Sequence, residues 1–199
     1  FPSVFDLAEA DEAVVLKYWE GLGYYRRARQ LHAAAKLIVS DHEGIFPHDA
    51  CALRQLPGVG RYTAGAIASI SFDLPEPILE ANSRRVLARL THYGRPLSGN
   101  KDDQPLWDIA AAIVPRDGGA GAFNQALMDL GSIVGTPVSP CCETCPLAEH
   151  CEAYQRGSVD QIPNVPTRKS SKKINEKAYV LVHKGKPVSY THLRAHETS

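Results

Sequence analysis

The chain has 199 residues, of which 44% are hydrophobic, 22% charged and 8% aromatic, and this composition is sufficient for a folded domain with a buried core. Lysine plus arginine and aspartate plus glutamate are balanced at 22 each, so any binding to DNA must depend on individually placed groups and not on bulk positive charge. No apolar run approaches the roughly 18 residues of a membrane-spanning helix, so we expect no membrane partner.

Helical patterns dominate the chain up to about residue 156. Apolar periodicity and turn residues predict helices over residues 11–20, 24–40, 49–55, 61–71, 83–92, 104–114 and 121–134. No β-hairpin pattern precedes residue 177. The sequence therefore predicts an all-α fold for this part of the chain.

The two ends of the chain differ from those of an intact domain. The first residue is Phe1, and a helical pattern follows at once, so we expect the chain to open inside a domain. Residues 157–176, with prolines and a basic run, predict a linker, and residues 177–186 predict one strand. Residues 187–199 resemble a translated sequencing adapter and are excluded from the functional argument, with a genuine polar tail as the alternative.

A tight turn, Leu56-Pro57-Gly58-Val59-Gly60, separates two of the predicted helices. Glycine adopts a positive φ at little cost, and the turn exposes backbone N–H groups at the start of the next helix, where a DNA phosphate can bind. A plain helix–helix turn is the alternative. The predicted DNA-binding residues here are Leu56, Gly58, Val59, Gly60 and Arg61.

Four of the five cysteines lie within eleven residues of one another, whereas Cys51 is far upstream. This clustering favours a metal site over a disulfide framework. The four clustered residues are Cys141, Cys142, Cys145 and Cys151.

Three further sequence strings stand in order around the turn: GLGYYRRAR at residues 21–29, PILEAN at residues 77–82 and FNQALMDLG at residues 123–131. Together with LPGVG and the cysteines, they resemble the MutY-type adenine DNA glycosylases of the helix-hairpin-helix superfamily, almost continuously over residues 1–156. The resemblance implies a helix-hairpin-helix glycosylase domain over residues 1–156 that includes an iron–sulfur cluster loop at 135–151. Residues 177–186 would then be the first strand of a truncated 8-oxoguanine-recognition domain.

The resemblance also implies an activity, namely removal of adenine mispaired with 8-oxoguanine or guanine by hydrolysis of its N-glycosidic bond. The adenosine must leave the base stack before this bond can be reached. An oxocarbenium-like transition state needs an acid for the departing base and an anion near the sugar. The family's general acid is a glutamate upstream of Phe1, so we expect this piece alone to be inactive; a non-catalytic lesion- or DNA-binding module is the alternative.

The expected partner is double-stranded DNA that contains an adenine mispair, bound by a monomer. The family's setting implies the cytoplasm and nucleoid of a bacterium, or the nucleus or mitochondrion of a eukaryote.

The family register assigns three catalytic roles. Glu80 falls on the sugar-side carboxylate, which is an aspartate in the family, and its alternative role is a helix cap or a solvated side chain. Asn82 matches an asparagine that helps to hold the sugar and phosphate, with a helix N-cap as the alternative. Tyr62 stands where the bifunctional endonuclease III relatives carry lysine, so it cannot form a Schiff base, and we expect a monofunctional enzyme in which Tyr62 hydrogen-bonds the Glu80 carboxylate. The alternative for Tyr62 is a packing residue.

Two more residues match family positions that contact DNA. Tyr24 matches an intercalating wedge, and an aromatic wedge lowers the cost of kinking the duplex. Gln125 matches the residue that recognises the flipped adenine, because an amide offers one donor and one acceptor. An ordinary exposed helix residue is the alternative for Gln125.

The cysteines match the family's 4Fe–4S motif at three of its four positions. Cys142, Cys145 and Cys151 are the last three ligands, and Gly135 occupies the position of the first. Since such a cluster takes four thiolates, the sequence leaves open that Cys141 substitutes, that a three-cysteine cluster has a labile site, or that the fourth ligand is lost. Zinc held by the four clustered cysteines is the alternative cofactor.

Overall fold

The computed structural model describes residues 1–97, 103–164, 177–184 and 186–193. The chain forms two compact units, Phe1–Pro166 and Thr167–Ser199. The described part of the first unit is helical, and that of the second is a β-hairpin. The predicted all-α fold is therefore confirmed for the first unit.

The α-helices of the first unit are α1 (Val4–Glu9), α2 (Glu12–Tyr18), α3 (Tyr25–His42), α4 (Ala50–Leu53), α5 (Arg61–Phe72), α6 (Ala81–Leu90), α7 (Gln104–Ile113), α8 (Ala120–Asp129) and α9 (Glu152–Gln155). A π-helical turn continues α8 over Leu130–Val134, and short 3-10 turns cover Cys142–Thr144, Ala148–His150 and Val159–Gln161. The predicted helix at residues 121–134 is thus α-helical only as far as Asp129.

Two apolar clusters form the core of the first unit. One joins α3, α4 and α5 through Ala34, Ile38, Leu53, Leu56, Ala64 and Ala68. The other joins α6, α7, α8 and α9, and its buried members are Leu79, Val86, Leu87, Ala88, Leu97, Leu106, Trp107, Ala110, Leu127, Ala153 and Ile162. Because α5 and α6 belong to different clusters, the segment that connects them crosses between the two halves of the core.

Polar contacts fix the approach of α8 to α5. Asp73, in a left-handed conformation after α5, accepts hydrogen bonds from the N–H groups of Gly119 (2.8 Å) and Gly121 (3.0 Å), and these bonds lower the pKa of its carboxyl group. The buried Asn124 amide donates to Ser69 Oγ at 2.8 Å and to the carbonyl of Glu76 at 2.9 Å. Asn124 therefore ties α8 both to α5 and to the segment that leads to α6.

The structure extends the helical unit beyond the predicted boundary at residue 156. Ile162 is buried in the core, its carbonyl accepts a hydrogen bond from Arg89 Nε at 2.9 Å, and the carbonyl of Asn164 accepts one from the N–H of Leu97 at 3.0 Å. Residues 157–164 thus pack on the domain and are not linker. Residues 165–176 of the predicted linker lie outside the described residues.

The second unit contains two strands where the sequence predicted one. Strand β1 (Lys177–His183) pairs with β2 (Lys186–Leu193) in antiparallel register, with Tyr179 opposite Thr191 and Val180 opposite Tyr190. Residue types such as Val188, Tyr190 and Thr191 favour a strand, although they do not continue the alternating pattern of β1. The non-native origin of residues 187–199 stays a prediction.

None of the helices in the described ranges has the length and apolar character needed to cross a membrane.

Candidate functional site

The turn between α2 and α3 presents Tyr24 to solvent. Gly21 and Gly23 have φ angles of +86° and +67°, and Tyr24 itself is left-handed at +49°. The indole N–H of Trp19 donates to the carbonyl of Gly23 at 2.8 Å, and the guanidinium of Arg27 lies 4.9 Å from the centre of the Tyr24 ring. The Tyr24 side chain is 76% exposed, so an unusual backbone conformation holds an aromatic ring outside the core.

The hairpin turn, residues 56–60, joins α4 to α5. Gly58 has a φ of +80°, as expected, whereas Gly60, the N-cap of α5, has a φ of −87° and does not use the freedom of glycine. The first backbone N–H groups of α5 have no intrahelical acceptor and remain free to bind an anion. Arg61 is exposed beside them, with its guanidinium 4.0 Å from the centre of the Trp107 ring and Nη1 donating to Gln104 Oε1 at 3.0 Å.

Leu56 differs from the other predicted DNA-binding residues of this turn. Its side chain is buried in the cluster of α3, α4 and α5, and Val59 packs partly against the same cluster. The Leu56 side chain is therefore not available to DNA, so the predicted contact of this residue would use its backbone and stays a prediction. Leu56 instead anchors the turn through its side chain and through its carbonyl, which accepts a hydrogen bond from the N–H of Val59 at 3.1 Å.

One groove, of about 900 Å³, connects the two turns. Its lining includes Trp19 at the end of α2 and Arg27 in the first turn of α3, which flank the Tyr24 turn. It also includes Gly58 and Val59 from the hairpin turn and Tyr62 from α5. The structure therefore brings the Tyr24 turn, the hairpin turn and one predicted catalytic residue to the same surface depression.

Glu80 is the N-cap of α6. Its Oε1 accepts hydrogen bonds from the backbone N–H groups of Asn82 and Ser83, both at 2.8 Å, and the Ser83 hydroxyl accepts one from the N–H of Glu80 at 2.8 Å. These reciprocal bonds form a capping box and fix the carboxylate in one orientation. Within the described parts of the chain, Oε2 receives no hydrogen bond. The alternative role of Glu80 as a helix cap is thus observed. Because the cap uses Oε1, the Oε2 atom remains available to a positively charged group.

Tyr62 lies near Glu80 but is bonded elsewhere. Its hydroxyl donates to Met128 Sδ at 3.4 Å, so the expected hydrogen bond to the Glu80 carboxylate is not present. Burial raises the pKa of Tyr62, and the negative charge of Glu80 raises it further. Tyr62 therefore lines the groove with a half-buried phenol that lies close enough to Glu80 to be affected by its charge.

Asn82 takes the second position of α6, so its alternative role as N-cap is wrong. Its Oδ1 accepts a hydrogen bond from Arg85 Nη2 at 2.9 Å. The same guanidinium donates to the carbonyls of Gly131 and Gly135, both at 2.6 Å. Burial lowers the pKa of Arg85, although the charge of Glu80 opposes this effect. Arg85 thus connects Asn82 to the segment that precedes the cysteines.

Gln125 is exposed on α8, and its amide nitrogen makes only a long intrahelical hydrogen bond, 3.3 Å, to the carbonyl of Gly121. It lies one helical turn before Met128, the partner of Tyr62, and residues three apart share a helix face. Gln125 is therefore available for an external ligand, while its neighbour Asn124 is committed to the core.

Three cysteines surround one small, mainly apolar pocket. Cys142, Cys145 and Cys151 line it together with Gly135 and Arg89. Burial raises the pKa of the Cys142 thiol, and the positive charge of Arg89 opposes this increase. Arg89 is itself held by hydrogen bonds of 2.9 Å to the carbonyls of Gly135 and Thr136.

Cys141 is not part of this pocket. It is exposed and lines a neighbouring surface groove together with Val138 and Glu143. The structure thus does not place Cys141 in the pocket with the other three cysteines, and its use as a fourth ligand stays a prediction. Among the described residues, no three Cys, His, Asp or Glu side chains converge on a point where a single metal ion could be held, so the four clustered cysteines do not form a ready zinc site.

Sequence reasoning missed four residues that shape the site. Arg85 and Arg89 interrupt the apolar face of α6 with charge, a signal of buried polar roles that could have been noticed. Trp19 directly precedes a glycine-rich turn, which is a weaker signal. Nothing in the local pattern separates the buried Asn124 from the exposed Gln125.

Comparison with known proteins identifies relatives of the chain. Residues 1–105 match the family model described as HhH-GPD superfamily base excision DNA repair protein. A mouse protein named adenine DNA glycosylase is 43% identical over 169 residues, which cover 84% of this chain and 33% of the mouse protein. Across the curated relatives of this name, the chain spans about a third to a half of their length.

Solved structures agree with this result. A thermostable thymine-DNA glycosylase has a TM-score of 0.70 at 30% identity, with 78% of this chain and 71% of that protein covered. A non-covalent endonuclease III–DNA complex has a TM-score of 0.66 at 22% identity over 79% of this chain and 72% of that one, and it shows that the fold is shared.

Proposed function

The chain belongs to the HhH-GPD superfamily of base excision DNA repair proteins, and from this premise we propose that it is the helix-hairpin-helix part of a monofunctional adenine DNA glycosylase. The proposed substrate is adenine opposite 8-oxoguanine or guanine in duplex DNA, bound by one copy of the protein. The observation that carries the proposal is the fixed carboxylate of Glu80, held by two backbone N–H groups beside the phenol of Tyr62.

DNA binding in this proposal uses two separate turns. The hairpin turn offers unpaired backbone N–H groups and Gly58 for close approach of a phosphate, with Arg61 beside them. Tyr24 enters the base stack, where a planar side chain offsets part of the cost of unstacking. These contacts with DNA come from a few individually placed groups, which agrees with the balanced charge of the chain.

Catalysis requires stabilisation of positive charge on the sugar. As the glycosidic bond breaks, electron density leaves the sugar for adenine, and the fixed Glu80 carboxylate faces the resulting oxocarbenium character. Its two backbone donors hold the group before the reaction, so little reorganisation is needed. Asn82 supports the sugar and phosphate from the first turn of α6, and Gln125 donates to and accepts from the edge of the flipped base. None of these residues is assigned to the protonation of adenine.

A 4Fe–4S cluster is the proposed cofactor of the cysteine pocket. Three thiols line the pocket, and the apolar wall and Arg89 suit an anionic iron–thiolate group. When bound, the cluster would supply structural cross-linking of the loop between residues 135 and 151. Arg85 and Arg89 already hold the start of this loop against α6 through backbone carbonyls.

The test is single-turnover release of adenine from a duplex with one adenine opposite 8-oxoguanine. Because the chain spans only part of its relatives, its residues 1–164 are inserted into the mouse relative in place of the matching mouse segment, and the resulting chimera is compared with the unaltered mouse protein. We expect the chimera to release adenine and the 199-residue chain to bind the duplex without releasing it. A chimera that binds the duplex but releases no adenine would favour the alternative of a non-catalytic DNA-binding module.

A second measurement tests the monofunctional assignment. Schiff-base enzymes are trapped on DNA by borohydride, and this requires an amine that attacks the sugar. Tyr62 has no amine, so we expect no covalent adduct with the chimera, whereas Tyr62→Lys introduces the missing group and provides the matched comparison. A strong adduct with the unaltered Tyr62 would contradict the assignment.

A further inference from the structure

The cysteine pocket has a gap in its ring of thiols. Cys142, Cys145 and Cys151 contribute side chains to it, whereas Gly135 contributes only backbone. The rest of the wall is mainly apolar and includes Val86, Leu130 and Leu147. Nothing else in the described wall is a thiol, a carboxylate or an imidazole, so the wall offers no protein ligand to replace the missing fourth thiolate.

Cys141 cannot close this gap without rearrangement of the loop. Its N–H donates to the carbonyl of Val134 at 3.0 Å, and its carbonyl accepts a hydrogen bond from the Thr144 hydroxyl at 3.3 Å. These bonds fix the backbone on both sides of a residue that faces the outer groove. The adjacent Cys142 reaches the pocket instead.

The backbone at Gly135 is fixed and has room for a side chain. Its N–H donates to the carbonyl of Leu130 at 2.7 Å, and its carbonyl accepts from both Arg85 (2.6 Å) and Arg89 (2.9 Å). An added Cβ would lie 3.4 Å from its two nearest neighbours, the Leu130 carbonyl oxygen and Val86 Cγ2, at an ordinary φ of −83°. The gap is therefore caused by the missing side chain and not by a blocked position.

We propose that the pocket binds an iron–sulfur cluster through three thiolates and leaves the iron that faces Gly135 open to a small thiol from solution. This inference rests on the proposed iron–sulfur cofactor and adds to it a binding site for an external ligand. A thiol is the expected ligand class because the wall around Gly135 is mainly apolar and soft sulfur ligands suit iron–sulfur centres.

The open iron should be lost on mild oxidation. Ferricyanide takes one electron from a 4Fe–4S cluster of charge 2+, and ferrocyanide is the reduced product. The unprotected iron then leaves as Fe²⁺, and a 3Fe–4S cluster of charge 1+ remains on the three cysteines. A cluster with four thiolates holds this iron more firmly.

The experiment reconstitutes the full 199-residue chain with Fe²⁺ and sulfide without oxygen, removes free thiols, and adds one equivalent of ferricyanide. A ferrous chelator measures released iron, and EPR detects the three-iron cluster. We expect about one iron released per cluster, prevented by added 2-mercaptoethanol. Gly135→Cys should retain its iron without added thiol, Cys141→Ala should behave like the unaltered chain, and Cys145→Ala should bind no cluster. Circular dichroism checks that each variant is folded.

The remaining outcomes separate the failure of this inference from the failure of the cofactor proposal. If the unaltered chain and Gly135→Cys retain iron equally, the fourth ligand is already present and the inference is wrong. If Cys141→Ala loses the cluster as Cys145→Ala does, Cys141 is that ligand and the inference is wrong. If none of the folded variants takes up iron and sulfide, the cofactor proposal itself is wrong. Adenine release is measured separately and does not enter this test.

Discussion

The Oε1 atom of Glu80 lies 2.8 Å from the backbone nitrogen of Asn82, so the candidate catalytic carboxylate is also the cap of the helix that carries its neighbour. Capping and catalysis use different properties of the side chain. The cap needs an oxygen acceptor, whereas charge stabilisation needs an anion. Substitutions can therefore separate the two.

We predict that Glu80→Gln keeps the cap and loses the charge. Single-turnover adenine release by the chimera should fall by roughly 10²–10³-fold, with duplex affinity nearly unchanged. Glu80→Ala also loses the cap and should cost about 0.5–2 kcal/mol in the free energy of unfolding, measured by urea denaturation. Glu80→Asp keeps the anion and should be tolerated. Normal adenine release by Glu80→Gln would leave Glu80 with a capping role only.

The hydrogen bonds of Asp73 predict that the packing of α8 on α5 is less stable at acidic pH. Its pKa is lowered by the hydrogen bonds from the N–H groups of Gly121 and Gly119, so the charged form is favoured in the folded state. The resulting stability is present above the unfolded pKa of about 4 and is lost as pH falls through the lower folded value. Asp73→Asn should therefore destabilise the chain near pH 7, and the difference should shrink below about pH 4.

The measurement is the urea midpoint as a function of pH. Asp11→Asn is the matched control, because Asp11 is an exposed N-cap whose side chain makes no capping hydrogen bond. If Asp73→Asn and the unaltered chain differ equally at all pH values, the stabilisation does not depend on the charge of Asp73.

Close packing of α8 on α5 predicts a strict requirement for Gly121. An added Cβ there would lie 2.6 Å from the carbonyl oxygen of Ser69 and 3.1 Å from Cα of Ile70, and both are backbone atoms. Gly121→Ala should cost about 1–3 kcal/mol in unfolding free energy, as overpacking does. Gly60→Ala is the control, because a Cβ at Gly60 meets nothing within 4 Å. Equal urea midpoints for both variants would contradict this account.

The sequence predicted the helices and the region of the site because apolar periodicity and short turns are local properties. It left two roles open for Glu80, and the structure shows the cap directly. The hydrogen bonds that Arg85 and Arg89 make to carbonyls of the loop before the cysteines could not be predicted, since the partners are distant in sequence and backbone groups carry no residue signature. The bond between the Tyr62 and Met128 side chains could not be predicted either, because the two residues lie far apart in the sequence.

The last prediction concerns the bond between Trp19 and the turn that presents Tyr24. The Trp19 indole N–H holds the carbonyl of Gly23 at 2.8 Å, directly before a left-handed Tyr24. Trp19→Phe keeps an aromatic side chain but removes this donor, so the turn should sample more conformations and Tyr24 should enter the base stack less often. Binding of the 199-residue chain to a mispaired duplex should weaken by roughly 2–10-fold, corresponding to one hydrogen bond of about 0.5–1.5 kcal/mol.

A fluorescent base analogue beside the mispair measures whether Tyr24 enters the base stack. It should report reduced intercalation in Trp19→Phe and none in Tyr24→Ala, whereas Leu22→Ala, in the same exposed turn, should leave the signal unchanged. If Trp19→Phe leaves both affinity and fluorescence unchanged while Tyr24→Ala abolishes the signal, the wedge does not depend on this hydrogen bond.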